Sequence, residues 1–119
     1  SFGAQCQEIL EHLSNQLVVI HNASFDWPIV LDHTGRAGFT LPSIQGVFCS
    51  QKAAMPWAAA HYVPCSSRGP SLDALTRALN TDDLRELNAG KHDAGTDCLQ
   101  TFINVEKLRA LAEATLCPM

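Results

Sequence analysis

The sequence predicts an α/β fold, because two short apolar segments alternate with longer segments in which apolar residues recur every three or four positions. The first apolar segment, Leu17 to Ile20, is a continuous run rich in β-branched residues, as found in buried parallel strands. The second lies within residues 45–50 and contains Val47 and Phe48. Strands that alternate with helices are typical of layered α/β architectures. Two strands make a poor sheet, so we expect further N-terminal strands of this domain to be missing.

The composition is that of one small globular domain. The chain has 119 residues, of which 46% are hydrophobic and 17% are charged, and these values suit a folded domain. Because the chain opens on Ser1 without an initiator methionine, we expect residues 1–119 to be the C-terminal part of a single, N-terminally truncated domain. No signal peptide and no apolar run of about 20 residues occurs, which favours a cytoplasmic protein without membrane contact.

Charge and cysteine content argue against several classes of function. The net charge of −4 argues against a broad basic surface that grips nucleic acid. It leaves open a metal-dependent nuclease, whose pocket is rich in carboxylates. The five cysteines are widely spaced, and none forms a Cys-x-x-Cys pair of the type that binds zinc or exchanges disulfides. We therefore expect reduced, mostly buried thiols.

The first half of the chain predicts a helix, a strand, a second helix and a second strand. Residues 2–14 have one apolar stripe at helical spacing, and Asn15 is expected to end that helix. Leu17 to Ile20 predicts a strand covered on both faces. The apolar density of residues 25–31 predicts a helix buried on most sides, in which Pro28 fits only in the first turn.

The second half predicts helices separated by loops. Residues 51–60 are rich in alanine and predict a helix that Pro56 keeps from running straight. A loop is expected over residues 63–70, after which Ser71 caps a helix that ends at Asn80. The inward residues of that helix are Leu72, Leu75 and Leu79.

A last, long helix is predicted over about residues 93–114, after a break at Asn88-Ala89-Gly90. The spacing of its apolar residues fits one continuous helix: Ala94, Leu99, Phe102, Val105, Leu108 and Leu111.

Asp26 is the first candidate for chemistry, since it comes six residues after the end of the predicted strand, at the start of a helix. Open α/β sheets present ligand-binding groups at this place, and a carboxylate there can hold Mg²⁺ or Mn²⁺. The alternative is that Asp26 only charges the first helical turn, which stabilises a helix by about 0.3 to 1 kcal/mol.

His92 and Asp97 are the second candidate pair. They are five positions apart and so do not share one face of a helix. Both can reach one site only if His92 lies in the loop before the last helix and Asp97 projects from its early turns. The alternative is a solvated helix start with a surface histidine.

Two stretches of the sequence carry these candidates, His21-Asn22-Ala23-Ser24-Phe25-Asp26 and His92-Asp93-Ala94-Gly95-Thr96-Asp97. They resemble the second and third motifs of the DnaQ-like, DEDDh-type 3′-to-5′ exonucleases, His-Asn-Ala-x-Phe-Asp and His-x-Ala-x-x-Asp. Between them, Ser71 through Leu75 looks like the family's Ser-Leu-Asp-Ala-Leu helix. The chain is identified by this resemblance as a member of that family.

The resemblance implies a partial ribonuclease-H-like exonuclease fold and hydrolysis of phosphodiester bonds at single-stranded DNA or RNA 3′ ends. It implies two divalent ions, Mg²⁺ or Mn²⁺, bound by four carboxylates, with a histidine as general base. Asp26 and Asp97 would be catalytic metal ligands, and His92 would take a proton from the attacking water. A DNA polymerase is a candidate partner, as for epsilon-like proofreading subunits.

The resemblance also assigns three substrate-binding residues, His21, Asn22 and Phe25. The first interpretation of His21 is that it anchors the strand-to-helix turn by hydrogen bonds. Phe25 and Trp27 could stack on a base, although we expect Phe25 to be buried against the sheet. Arg68 and Lys91 are the best candidates for phosphate contacts, and each is equally well explained as a solubilising charge.

The family's first motif is absent from the chain. That motif, an Asp-x-Glu on the first strand, supplies two of the four carboxylates, and no Asp-x-Glu occurs here. Asp32, Asp73 and Asp93 are interpreted as surface or helix-start charges rather than as replacements. A lesser departure is Cys49-Ser50, where relatives often place Asp-Thr, and it affects local hydrogen bonding. We therefore expect the chain alone to be inactive.

Two further hypotheses compete with a nuclease fragment. The first is a degenerate exonuclease-fold module that binds nucleic acid or a polymerase without cutting. The second is a small helical interaction domain in which both motif matches are accidental.

Overall fold

Helices alternate with parallel strands in the first part of the chain, whereas the later part is helical. The computed structural model describes residues 2–87 and 94–116, and the chain divides into two units, residues 1–49 and 50–119. The first unit contains α1 (Phe2–Leu13), β1 (Leu17–Ile20), α2 (Ala23–Arg36) and β2 (Gly46–Cys49). The second contains α3 (Ser50–Ala53), α4 (Met55–Ala60), α5 (Leu72–Leu79), α6 (Leu84–Leu87) and α7 (Ala94–Leu116). The predicted α/β class is confirmed at this level.

The two strands form a parallel sheet whose register pairs Leu17 with Gly46 and Ile20 with Cys49. Parallel strands need a crossover connection, and α2 supplies it here. The helix packs on both strands. This β1–α2–β2 unit places the carboxyl ends of the two strands side by side, because the pairing is parallel.

One face of the sheet is exposed, so the expectation that β1 is covered on both faces was wrong. Leu17 and Val19 are 52% and 40% exposed, and Phe48, which pairs with Val19, is 40% exposed. Val18 and Ile20, on the opposite face, are half-buried. An unbroken apolar run makes both faces of a strand apolar, but it does not ensure that both faces are buried, and Leu17, Val19 and Phe48 remain exposed here.

The predicted first helix and its end are confirmed. Cys6 and Leu10 of α1 are buried, as its apolar stripe predicted. Asn15 has a φ of 60°, in the left-handed region that asparagine tolerates better than most residues. Because this conformation cannot continue a right-handed helix, the chain turns here and enters β1.

The second helix differs from its prediction in two respects. It begins at Ala23, so Pro28 lies in the second turn, where it removes one backbone hydrogen bond from the helix. Its buried residues are Ala23 and Thr34 alone among those described, and Ile29 and Leu31 are exposed. The helix is therefore not buried on most sides, because the described residues cover only a narrow strip of it.

The helices around the loop of residues 63–70 follow the sequence closely. The alanine-rich segment is broken at Ala54 into α3 and α4, with Pro56 at the start of α4, where a missing N–H costs little. Ser71 caps α5, since its hydroxyl accepts a hydrogen bond from the N–H of Ala74 at 3.1 Å. Asn80 ends the helix in the left-handed conformation. The core of this unit is a cluster of Ala54, Leu75 and Leu79, with Trp57 and Leu108 packed against it.

The last helix exists as predicted, and two of its buried residues are polar. Leu99 and Phe102 are exposed, whereas Gln100 and Asn104 are buried. The amide oxygen of Asn104 accepts hydrogen bonds from Thr81 Oγ1 at 2.8 Å and from Gln100 Nε2 at 3.2 Å, and its Nδ2 donates to Thr76 Oγ1 at 3.0 Å. We call these four residues, Thr76, Thr81, Gln100 and Asn104, the polar network. They satisfy one another, which is the condition for burying amides and hydroxyls.

No helix in the described ranges is both long enough and apolar enough to cross a lipid bilayer. The predicted break at Asn88-Ala89-Gly90 lies outside the described residues.

Candidate functional site

The turn between β1 and α2 places Asp26 at the carboxyl end of the sheet. His21 and Asn22 follow the strand, and Asn22 adopts a left-handed conformation with φ of 71°. Its carbonyl oxygen accepts hydrogen bonds from the N–H groups of Phe25 at 3.1 Å and Asp26 at 3.3 Å. Asp26 thus lies in the first turn of α2 with its side chain exposed. A carboxylate at this place is favoured by the helix dipole and is open to a ligand, so both interpretations of Asp26 fit the structure.

The polar residues of this turn hold its shape. The Asn22 side chain caps no backbone N–H, and instead its oxygen accepts a hydrogen bond from the Ser24 hydroxyl at 3.3 Å. His21 is half-buried and interacts with other groups of the chain. Such contacts suit an anchoring role for His21, and both residues lie in the turn that precedes Asp26.

A thiol connects this turn to the second strand. The N–H of Ala23, the first residue of α2, lies 3.4 Å from Cys49 Sγ, at the end of β2. Cys49 occupies the position at which the resembled family often has Asp, and its sulfur accepts the backbone hydrogen bond there. Sulfur is a weak acceptor, so this contact ties the start of α2 to the end of β2 only weakly.

Phe25 is exposed, so the expectation that it is buried against the sheet was wrong. Its exposed fraction is 58%, whereas Trp27 is half-buried. Phe25 and Trp27 differ in exposure because residues two positions apart point to nearly opposite sides of a helix. The Phe25 ring next to Asp26 is therefore accessible to a ligand.

Asp97 lies in the first turn of α7, as the sequence predicted. Its side chain is half-buried and interacts with other groups, and its carbonyl oxygen accepts a hydrogen bond from Thr101 Oγ1 at 2.9 Å. Asp26 belongs to the first unit and Asp97 to the second. His92, Asp93 and Lys91 lie outside the described residues.

Asp32 and Asp73, two of the three other candidate aspartates, are surface or helix-start charges, as predicted. Asp32 pairs with Arg36 at 3.1 Å, one helical turn away, and both side chains are more than half exposed. Asp73 is exposed in the first turn of α5, where a negative charge is favoured. Exposed pairs of this type contribute about 0 to 1 kcal/mol to stability.

The described residues include no group of three or more His, Cys, Asp or Glu side chains that could hold a metal ion. No cysteine among the described residues belongs to such a group. The cysteines are also less buried than predicted. Cys6 is buried and Cys49 half-buried, but Cys65 and Cys98 are exposed, so the expectation of mostly buried thiols was wrong for the described cysteines. None of these four described cysteines forms a disulfide bond, as expected for reduced thiols.

One exposed aromatic residue was missed by the sequence analysis. Tyr62 follows α4 in the left-handed conformation, with its side chain exposed. The available signal was a tyrosine at the end of an alanine-rich helix and next to a proline-containing loop, which is too common a pattern to single out a site.

Comparison of the chain with protein-family models, with curated proteins and with solved structures gave no match.

Proposed function

We propose that the chain is the part of a DnaQ-like 3′-to-5′ exonuclease that carries the second and third motifs of that family. The observation that supports this most is the position of Asp26, exposed in the first helical turn after the carboxyl end of a parallel strand. Ligands of open α/β sheets bind at this edge. The ribonuclease-H-like fold belongs to the same proposal, and the β1–α2–β2 unit supports it as one piece of such a sheet.

The donor chemistry fits a hard divalent cation in kind but is incomplete in number. Asp26 and Asp97 offer carboxylate oxygens, which Mg²⁺ and Mn²⁺ prefer. They are two of the four carboxylates that the family uses, and the chain contains no Asp-x-Glu to supply the others. When bound, a pair of such ions supplies activation of water and neutralisation of the charge on the leaving oxygen.

The chain's own residues would then bind the cations, take up a proton and contact the substrate. Asp26 and Asp97 would hold the cations, and His92 would take the proton of the attacking water, since a histidine is largely neutral near pH 7. His21, Asn22 and Phe25 would contact the last nucleotides of a single-stranded DNA or RNA 3′ end. The exposed Phe25 ring supports its part in this assignment.

A second candidate function is a catalytically degenerate module of the same fold that binds nucleic acid or a DNA polymerase. The observation behind it is that no Asp-x-Glu occurs in the 119 residues. The two candidates make different predictions for a longer parent protein that contains both this segment and the first motif. The exonuclease predicts nuclease activity in that parent protein, and the degenerate module predicts none.

The test is release of nucleotides from a labelled single-stranded oligonucleotide by such a parent protein, with Mg²⁺ or Mn²⁺. We expect His92→Ala to lower the rate by about 100-fold or more, the usual contribution of a general base. Asp97→Asn should also lower the rate strongly, because it removes the charge of a carboxylate that would hold a cation. Asp32→Asn is the matched control, because that carboxylate only pairs with Arg36 on the surface, and its activity should equal that of the unmodified protein.

The 119-residue chain alone should release no nucleotides under the same conditions. Full activity in Asp97→Asn or His92→Ala would overturn the assignment of these residues. Activity of the isolated chain would show that it holds a complete site, and a parent that has the first motif but no activity would favour the degenerate module.

A further inference from the structure

Tyr62 combines an exposed ring with an unfavourable backbone conformation. Its φ is 57° and its exposed fraction is 96%. The N–H of Val63 donates to the carbonyl oxygen of Ala58 at 2.9 Å, and the N–H of Tyr62 donates to that of Ala59 at 3.4 Å. This pair of hydrogen bonds is the Schellman motif that ends many helices. Glycine usually occupies its left-handed position, because a β-carbon there clashes with the backbone.

The Tyr62 side chain makes few contacts with the rest of the chain that could offset this unfavourable backbone conformation. A ring that is almost fully exposed has little packing that could offset the conformation of its backbone. Residues held in unfavourable backbone conformations cluster at active sites, ligand clamps and switch regions. The observation therefore points to a partner that covers the ring.

The loop that begins at Tyr62 also carries an arginine at the tip of an anchored turn. Ser66 and Gly69 exchange both of their backbone hydrogen bonds, at 3.0 and 3.1 Å, so that Ser67 and Arg68 form a two-residue tip. The Ser66 hydroxyl accepts a further hydrogen bond from the N–H of Arg68 at 3.1 Å. A side chain on Gly69 would collide with the backbone of Gln51, so the base of the turn is packed against α3.

The Arg68 side chain is exposed, and no carboxylate in the described part of the chain forms an ion pair with it. One loop therefore presents an aromatic ring and a guanidinium group to solvent. Aromatic rings stack on nucleic-acid bases of any sequence, and guanidinium groups form paired hydrogen bonds with phosphates. A single strand offers both unpaired bases and phosphates, so its chemistry matches this loop.

We propose that Tyr62 stacks on a base of single-stranded nucleic acid while Arg68 binds its phosphate backbone. This inference rests on the proposed function, which supplies a single-stranded 3′ end as substrate. It adds a substrate-binding surface in the second unit to the residues assigned by the two motifs.

The test is the affinity of the 119-residue chain for a short fluorescein-labelled oligothymidylate, measured by fluorescence anisotropy in buffer with a chelator. We expect Tyr62→Gly to weaken binding by about 5- to 150-fold, the usual loss for one stacked base. The same variant should be at least as stable to urea as the unmodified chain, because glycine suits the left-handed position. Tyr62→Phe keeps the ring and should keep the affinity.

Arg68→Ala should weaken binding and reduce its dependence on salt concentration, because one phosphate contact is lost. Wild-type affinity in Tyr62→Gly would overturn the role of the ring, and so would the absence of any binding by the unmodified chain. If binding by the chain depends on Tyr62 but a parent protein that contains the first motif has no nuclease activity, the exonuclease proposal is rejected and this inference stands. If the parent protein has nuclease activity but Tyr62→Gly does not change the affinity of the chain, this inference is rejected and the exonuclease proposal stands.

Discussion

Replacing Asn104 by alanine tests the buried face of α7. Asn104 is 1% exposed and makes three side-chain hydrogen bonds within the polar network. Its removal leaves Thr81 and Gln100 with one acceptor fewer and Thr76 without the donor at its oxygen. A buried polar group that loses its partner costs about 1 to 3 kcal/mol. Partial rearrangement is available, since Thr81 Oγ1 also lies 3.4 Å from the carbonyl oxygen of Thr76. We therefore expect the free energy of unfolding to fall by about 2 kcal/mol.

Phe102→Ala is the matched control on the same helix. A fully buried phenylalanine loses about 3 to 5 kcal/mol when it is truncated to alanine. Phe102 is 62% exposed, so most of that loss does not apply, and the higher helix propensity of alanine returns about 0.5 kcal/mol. We expect a net loss below about 1 kcal/mol for this variant. If apolar residues alone formed the buried face of α7, Phe102→Ala would instead lower the free energy of unfolding more than Asn104→Ala.

Urea unfolding followed by circular dichroism measures both variants. With a slope of about 2 kcal/mol per molar urea, Asn104→Ala should lower the unfolding midpoint by about 1 M, and Phe102→Ala by less than half of that. A larger shift for Phe102→Ala would refute the placement of the polar network in the interior of this unit.

Two further measurements test local features. Ser71→Ala should lower the free energy of unfolding by about 1 kcal/mol through loss of the α5 cap, whereas Ser67→Ala, in an exposed turn, should change it little; equal midpoints would contradict the cap. Alkylation of the native chain, mapped by mass spectrometry, should modify Cys65 and Cys98 well before Cys6 because of their exposure; early modification of Cys6 would show that α1 does not bury it.

The ends of elements could be predicted from sequence because they depend on local backbone chemistry. Asn15 and Asn80 end helices in the left-handed conformation, and Ser71 starts one with its hydroxyl. Each effect involves neighbours within a few residues, which the sequence displays directly. Pro56 is a further local signal, since it lies at the start of α4, as proline favours. Pro28 does not lie in the first turn of its helix, because packing of α2 on both strands overrides the cost of a proline in its second turn.

The faces of elements could not be predicted to the same extent, because burial depends on which partners a helix meets. The apolar residues of α7 are distributed around the helix, and the polar residues Gln100 and Asn104 point inward because Thr76 and Thr81 meet them. Nothing in the spacing of α7 alone reveals those partners, which lie about 20 to 30 positions earlier in the sequence.

The candidate site divides in a similar way. The placement of Asp26 after a strand and of Asp97 in a first helical turn followed from strand and helix signals, and both are confirmed as positions. Their roles as metal ligands remain predictions. Tyr62 could not be found from sequence, because its left-handed conformation is a property of how α4 ends rather than of tyrosine, which avoids this conformation.

The two-stranded sheet has a consequence for the behaviour of the protein in solution. Each strand of a two-stranded ladder uses only one of its edges, so within the described residues β1 and β2 each present a row of backbone groups to a further strand. Next to these edges lies the exposed apolar face of Leu17, Val19 and Phe48. Open edges beside an apolar face promote self-association of chains. We therefore expect the measured stability and binding of the protein to depend on its concentration, and dilute samples to report on the single chain.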